Sequence, residues 1–134
     1  MPVTRVNPGG VHALPQLITQ VVTAEPHRIA YVSGQVAWDE NGEPVGRGDH
    51  AAQIAQIARN LDACLASVGA TRADVVKETI YVVDYSPDLL PAIIGALREG
   101  VTAPPASTLV AVPALFSPDF LIEVEVVAAV PGRA

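Results

Sequence analysis

The sequence has few cations, few aromatics, a single cysteine and no long hydrophobic run, and each shortage excludes something. Eight Lys and Arg residues are scattered singly against 14 Asp and Glu, for a net charge of −6. Phosphate backbones are held by clustered cations, often with stacking aromatics between them, so a chain that is 4% aromatic with no basic patch is not expected to bind nucleic acid. The single cysteine, Cys64, excludes an internal disulfide and fits a buried thiol in a reducing cytoplasm. No apolar stretch approaches the roughly 18–20 residues of a membrane helix. The opening MPVTRVNPGG is polar and turn-rich, unlike a leader. His12, His27 and His50 lack the spacing or cysteine partners of a metal site, so neither a metal nor another cofactor is expected.

What the chain has in excess is aliphatic side chain. Half of its 134 residues are hydrophobic, only 16% are charged, and the mean hydropathy is +0.35. Residues 1–134 make one domain, and a domain of that size has too much surface for its volume to hide so much apolar material. A homo-oligomer is the expected remedy.

Turn signals divide the chain into short elements. A short strand is possible in MPVTRVNP, ended by NPGG. LITQVV (17–22) and RIAYVSGQVAW (28–38) read as strands, the second interrupted by Ser33-Gly34. After the turn-rich DENGEPVGRGD, Asp49 is a good N-cap. Ala51, Ile54, Ile57, Ala58, Leu61, Leu65 and Val68 then fall on one helical stripe, closed by Gly69, with Gln53, Gln56, Arg59, Asn60 and Asp62 on the wet side. A strand within 73–85 precedes a second helix over 86–100, opened by Ser86-Pro87. The strands 107–112 and 120–130 complete the chain. In FLIEVEVVAAV, Phe120, Ile122, Val124 and Val126 share one face, and Leu121, Glu123, Glu125 and Val127 the other. The predicted order is β-β-α-β-α-β-β, an α+β sandwich with both helices on one face of a mixed sheet.

Three stretches carry chemistry. In TAPPASTLVAV, Pro104 and Pro105 fix an extended, unpaired entrance to a strand, and Ala106, Ser107 and Thr108 line it with small side chains. Ser107 and Thr108 by default bond the backbone that the prolines leave unpaired, with ligand contact as a further role. Ser33-Gly34 reads as a bulge whose backbone can also line a pocket. Glu123 and Glu125 read, from the pattern alone, as a solvated strand face. Trp38 suits a rim, an interface or the core equally, and Arg5, Arg28, Arg47 and Arg98 are surface charges by default.

Taken in order, YVSGQVAWDENGEPVG, QIARNLDACLASVGATRADVVKETIYVVD, PPASTLV and LIEVEVVA resemble the RidA/YjgF family, also described as L-PSP endoribonuclease-like, across almost the whole chain. The resemblance implies a chorismate-mutase-like fold assembled as a trimeric barrel with clefts between subunits. It implies hydrolysis of reactive imines or enamines, with a glutamate holding the attacking water and an arginine pairing with the substrate carboxylate. The glutamate corresponds to Glu123, and the pocket-shaping strand to Ser33 and Gly34. The arginine falls on Ala106, and the residue after the motif serine, Ser107, is Thr108. The family tyrosine falls on Ile18 and the second-helix asparagine on Ile93.

The resemblance therefore implies a cleft that has kept its general base and lost its carboxylate clamp, with neutral ligands favoured and Arg5 or Arg47 the candidates to replace the clamp. Three functions compete. The first is a cytoplasmic homotrimeric hydrolase of the deaminase kind acting on a small molecule. The second is a non-catalytic trimer binding a metabolite or a partner. The third is a ribonuclease, which the acidic balance disfavours. Ala106→Arg separates them: it is expected to create activity toward carboxylate-bearing imines, and an inert, folded Ala106→Arg trimer means that more than the clamp is missing.

Overall fold

The alternation in the last strand sets the layout of the molecule. The structure, a computed structural model, describes residues 3–25 and 28–132, so His27 lies outside the described residues. In chain order the elements are β1 (Val3–Val6), β2 (Val21–Ala24), β3 (Arg28–Gln35), α1 (His50–Ala66), β4 (Val75–Val83), α2 (Leu90–Arg98), β5 (Ala106–Val112) and β6 (Ile122–Val130). Strand β6 buries Ile122, Val124, Val126 and Ala128 on one side and carries Glu123, Glu125 and Val127 on the other. It pairs antiparallel with β3 and β4, and β4 pairs in parallel with β5, giving the order β3-β6-β4-β5.

Both helices pack on the apolar side. Ile54, Ile57, Leu61 and Leu65 of α1 and Ile93 and Leu97 of α2 form one core with Ile80, Val82, Ile122 and Val124. The fold is the expected α+β arrangement, with a mixed sheet and both helices on one face. Asp49 caps α1 by accepting from the Ala52 N–H at 3.0 Å. The C-terminal end closes through Ala70 N–H to Leu65 O at 2.9 Å and Gly69 N–H to Ala66 O at 3.1 Å, with Gly69 at φ +80°. Gln53, expected on the wet side, is fully buried. It donates to the carbonyls of Gly46 and Asp119 and accepts from the Leu121 N–H, so three backbone groups satisfy its amide. Ser86 opens a 3₁₀ turn, Pro87–Leu89, ahead of α2, without a capping bond from its side chain.

The N-terminal part departs from expectation. Strands β1 and β2 form a separate antiparallel ribbon, so three strands precede α1, where the order predicted from the sequence has two. Residues 17–20 are not strand, because their polar groups are engaged elsewhere. Leu17 and Ile18 N–H both donate to the Leu14 carbonyl, and the buried Thr19 donates to Pro105 O from its N–H (2.9 Å) and to Pro104 O from its hydroxyl (2.5 Å). The carbonyls of the diproline entrance thus take their partner from Thr19, not from Ser107 or Thr108.

Arg98 is no surface charge. Its guanidinium grips Glu78 through both carboxylate oxygens, at 2.9 and 2.5 Å, and donates twice more to the Leu17 carbonyl, at 3.0 and 2.8 Å. The two side chains are 10% and 3% exposed, so the charges exist there only because each satisfies the other. Arg98→Ala is expected to cost about 3–5 kcal/mol by leaving Glu78 buried and alone. Urea unfolding measures it; a loss under about 1 kcal/mol would show the pair to be dispensable.

Candidate functional site

The side of the sheet away from the helices carries a band of polar groups, and the bulge in β3 marks one end of it. Pairing of β3 with β6 runs through Val32↔Val126 and resumes at Gln35↔Val124, so Ser33 and Gly34 together stand opposite the single residue Glu125. The missing side chain at residue 34 is what makes room for Glu123. A Cβ there would fall on the Glu123 carboxylate, with Cδ 2.7 Å and Cγ 3.0 Å away. The carboxylate of Glu123 is seated against the backbone of the bulge.

Strand pairing extends the band across the sheet. Tyr81 is the partner of Glu123 and of Val110, Thr79 of Glu125 and Thr108, and Lys77 of Val127 and Ala106. The Tyr81 hydroxyl donates to Glu125 Oε1 at 2.7 Å, and Lys77 Nζ donates to Thr108 Oγ1 at 2.7 Å. Partial burial, with the neighbouring Glu125 charge adding to it, raises the Glu123 carboxyl above the ordinary range. The Tyr81 phenol is raised as well, first by its hydrogen bond to Glu125, then by desolvation and the two carboxylate charges.

The expected site residues separate into groups. Ser33, Gly34, Ala106 and Thr108 lie on the same side of the sheet as Glu123 or at its bulge. Ser107 is the register partner of the buried Glu78, so alternation turns it to the opposite side from Thr108. Ile18 is half-buried in the turn before β2. Ile93 is fully buried in the core against the helix-bearing side, where it fills space and shares no surface with Glu123. Of the arginines proposed as substitutes, Arg47 pairs with Asp119 at 3.2 Å, and Arg5 sits on β1 opposite Val22. Trp38 makes edge contacts with Phe116 and Phe120, centroids 5.8 and 5.6 Å apart. Cys64, expected to be buried, is half-buried on α1. Among the described residues no group of three or more His, Cys, Asp and Glu could hold a metal ion, and no helix is long and apolar enough to cross a membrane.

Lys77 and Tyr81 are not among the site residues expected from the sequence. The alternation in VVKETIYVV was the available signal, since it places Lys77, Thr79 and Tyr81 on one face.

The sequence model of the endoribonuclease L-PSP family matches residues 15–130. The 3-aminoacrylate deaminase RutC of Acinetobacter baylyi is 34% identical over 115 residues, covering 85% of this chain and 89% of that protein. The RutC family protein YjgH of Escherichia coli is 30% identical over 130 residues, 97% of each. Among solved structures, the Rid family protein YyfB of Yersinia pestis, of unknown function, superposes with a TM-score of 0.88 at 40% identity, covering 97% of this chain and 100% of that one.

The raised carboxyl makes a stability prediction. A folded-state value above the unfolded one means that folding favours the protonated form, so the stability present at low pH declines as pH rises through the folded value. Glu123→Gln cannot undergo this loss. Its melting temperature, relative to the parent, is expected to rise between pH 4 and pH 8. A difference that stays flat with pH, measured by thermal scans of both proteins, would show Glu123 to titrate normally.

Proposed function

The chain belongs to the endoribonuclease L-PSP, or RidA/YjgF, family, and from that premise we propose that its open sheet face hydrolyses a small reactive imine or enamine, with Glu123 handling the proton of the attacking water. The observation that carries this reading is the Glu123 carboxylate seated on Gly34, partly desolvated and beside a second carboxylate. Such a group takes a proton near neutral pH more readily than an ordinary glutamate. One relative is named for deaminating 3-aminoacrylate, a compound that is an enamine and carries a carboxylate.

The steps balance without a cofactor. An enamine becomes an imine by gaining a proton at carbon and losing one from nitrogen. Water then adds to the imine carbon while Glu123 takes one of its protons and passes it to the imine nitrogen, giving a neutral carbinolamine. Glu123 next moves the hydroxyl proton of the carbinolamine to its nitrogen, the C–N bond breaks, and ammonia leaves as the carbonyl forms. Ser33 and Gly34 present the backbone of the bulge beside the reacting carbon, and Ala106 and Thr108 border the far end of the face.

The same reading assembles three copies, with the cleft between neighbours. In support, Tyr31 is 80% exposed, and Ile29 and Val110 are each at least 40% exposed, on the strands of the main sheet. Apolar surface of that extent is what an interface covers. A reducing cytoplasm suits the lone, half-buried Cys64. The second reading, a binding protein without catalysis, draws on Ala106, which offers a ligand no guanidinium.

Freshly generated imines, assayed for ammonia release, test the proposal. Accelerated hydrolysis that falls about 100-fold or more in Glu123→Gln is expected. Gly34→Ala is expected to cause a comparable loss with a stability change within about 1 kcal/mol, because only the end of a flexible side chain has to move. No acceleration over buffer across the panel, with a ligand retained after Glu123→Gln, would favour the binding reading.

A further inference from the structure

We propose that Lys77 supplies the positive anchor of this face and selects ligands that carry a carboxylate. The inference rests on the hydrolytic reading above and names its substrate class as short imino or enamino acids. It reverses the preference for neutral ligands drawn from Ala106.

Replacing an arginine by Ala106 removes a cation from β5, yet the parallel register places another directly beside the vacated position. Lys77 on β4 is the partner of Ala106. It is the only lysine of the chain. Its half-buried side chain donates to the neutral hydroxyl of Thr108, and no carboxylate lies within 4.0 Å of its ammonium among the described residues. By contrast Arg47, Arg72 and Arg98 all reach acidic partners. An ammonium has three donors, and Thr108 takes one. The small side chain of Ala106 leaves room beside it for an anion.

The spacing fits the reaction. The Thr108 hydroxyl, where the ammonium sits, and Glu123 lie two strands apart and one same-face step apart along the sheet. Strand spacings of about 4.8 Å and steps of about 6.6 Å put their backbone positions about 12 Å from each other. An ammonium–carboxylate contact of about 2.8 Å, a water attacking at about 3 Å and its hydrogen bond of about 2.8 Å to Glu123 occupy most of that span. Two or three carbons fill the remainder, the length of a 2-imino or 3-amino acid. Lysine holds the carboxylate as a point charge, without the bidentate fork that arginine would impose.

The test compares a 2-imino acid with its amide on the parent, on Lys77→Gln and on Lys77→Arg. The ratio of kcat/KM for acid over amide is expected to fall roughly 10- to 100-fold in Lys77→Gln, mainly through KM, and to be largely kept in Lys77→Arg. Adding Ala106→Arg to Lys77→Gln is expected to restore the preference, since the two positions face each other. An unchanged ratio in Lys77→Gln overturns the anchor while leaving hydrolysis standing. If the parent hydrolyses neither compound, the hydrolytic reading fails, and the anchor is decided by NMR titration of the parent with 2-oxobutanoate and with its amide. Shifts at Lys77 for the acid alone support it, and silence at Lys77 overturns it.

Discussion

The contact on which the site depends is the packing of the Glu123 carboxylate into the space that Gly34 leaves empty. A strand normally alternates its side chains regularly, and a bulge breaks that rhythm at the cost of one ladder position. Here the break lies opposite Glu125, and the missing side chain lets the neighbouring carboxylate lie down on backbone instead of standing in water. Partial desolvation follows, and with Glu125 two positions along the strand the proton is held more tightly. Proton affinity at this position is a consequence of sheet geometry.

The rest of the molecule holds that geometry still. Residues 14–20 are fastened to the diproline entrance through Thr19 and to α2 through Arg98, whose other contacts anchor Glu78 in β4. Glu78 is the partner of Ser107, so the buried ion pair lies directly behind the strand pair that carries Lys77 and Ala106 on its front. Gln53 serves the same end at the other side, tying α1 to the backbone leading into β6. The helix-bearing side contributes stiffness, and the open side the chemistry proposed for it.

The layout was legible because it rests on periodicity. The α1 stripe from Ile54 to Leu65, its Asp49 cap, its Gly69 closure and the alternation of β6 are local patterns that appear where the residues put them, while Ala51, expected on that stripe, is exposed and Val68 lies past the helix end. The bulge at Ser33-Gly34 was legible too, from the glycine in a β-branched run. What escaped depends on register or on tertiary partners. Gln53 looks solvated until three backbone groups converge on it, and Arg98 looks like a surface charge until Glu78 and Leu17 approach. Residues 17–20 have β-prone composition, but their hydrogen bonds are drawn off by Pro104, Pro105 and Arg98. Lys77 and Ala106 are far apart in sequence, and only the parallel pairing of β4 with β5 makes them neighbours.

Carbon-13 NMR titration of the Glu123 side-chain carboxyl, in the parent and in Glu125→Gln, tests the central claim most directly. The account predicts a midpoint above that of an ordinary glutamate in the parent, moving down when the Glu125 charge is removed. A midpoint in the ordinary range, indifferent to Glu125, would mean that Glu123 stands in open water, and the contact with Gly34 would lose its chemical meaning.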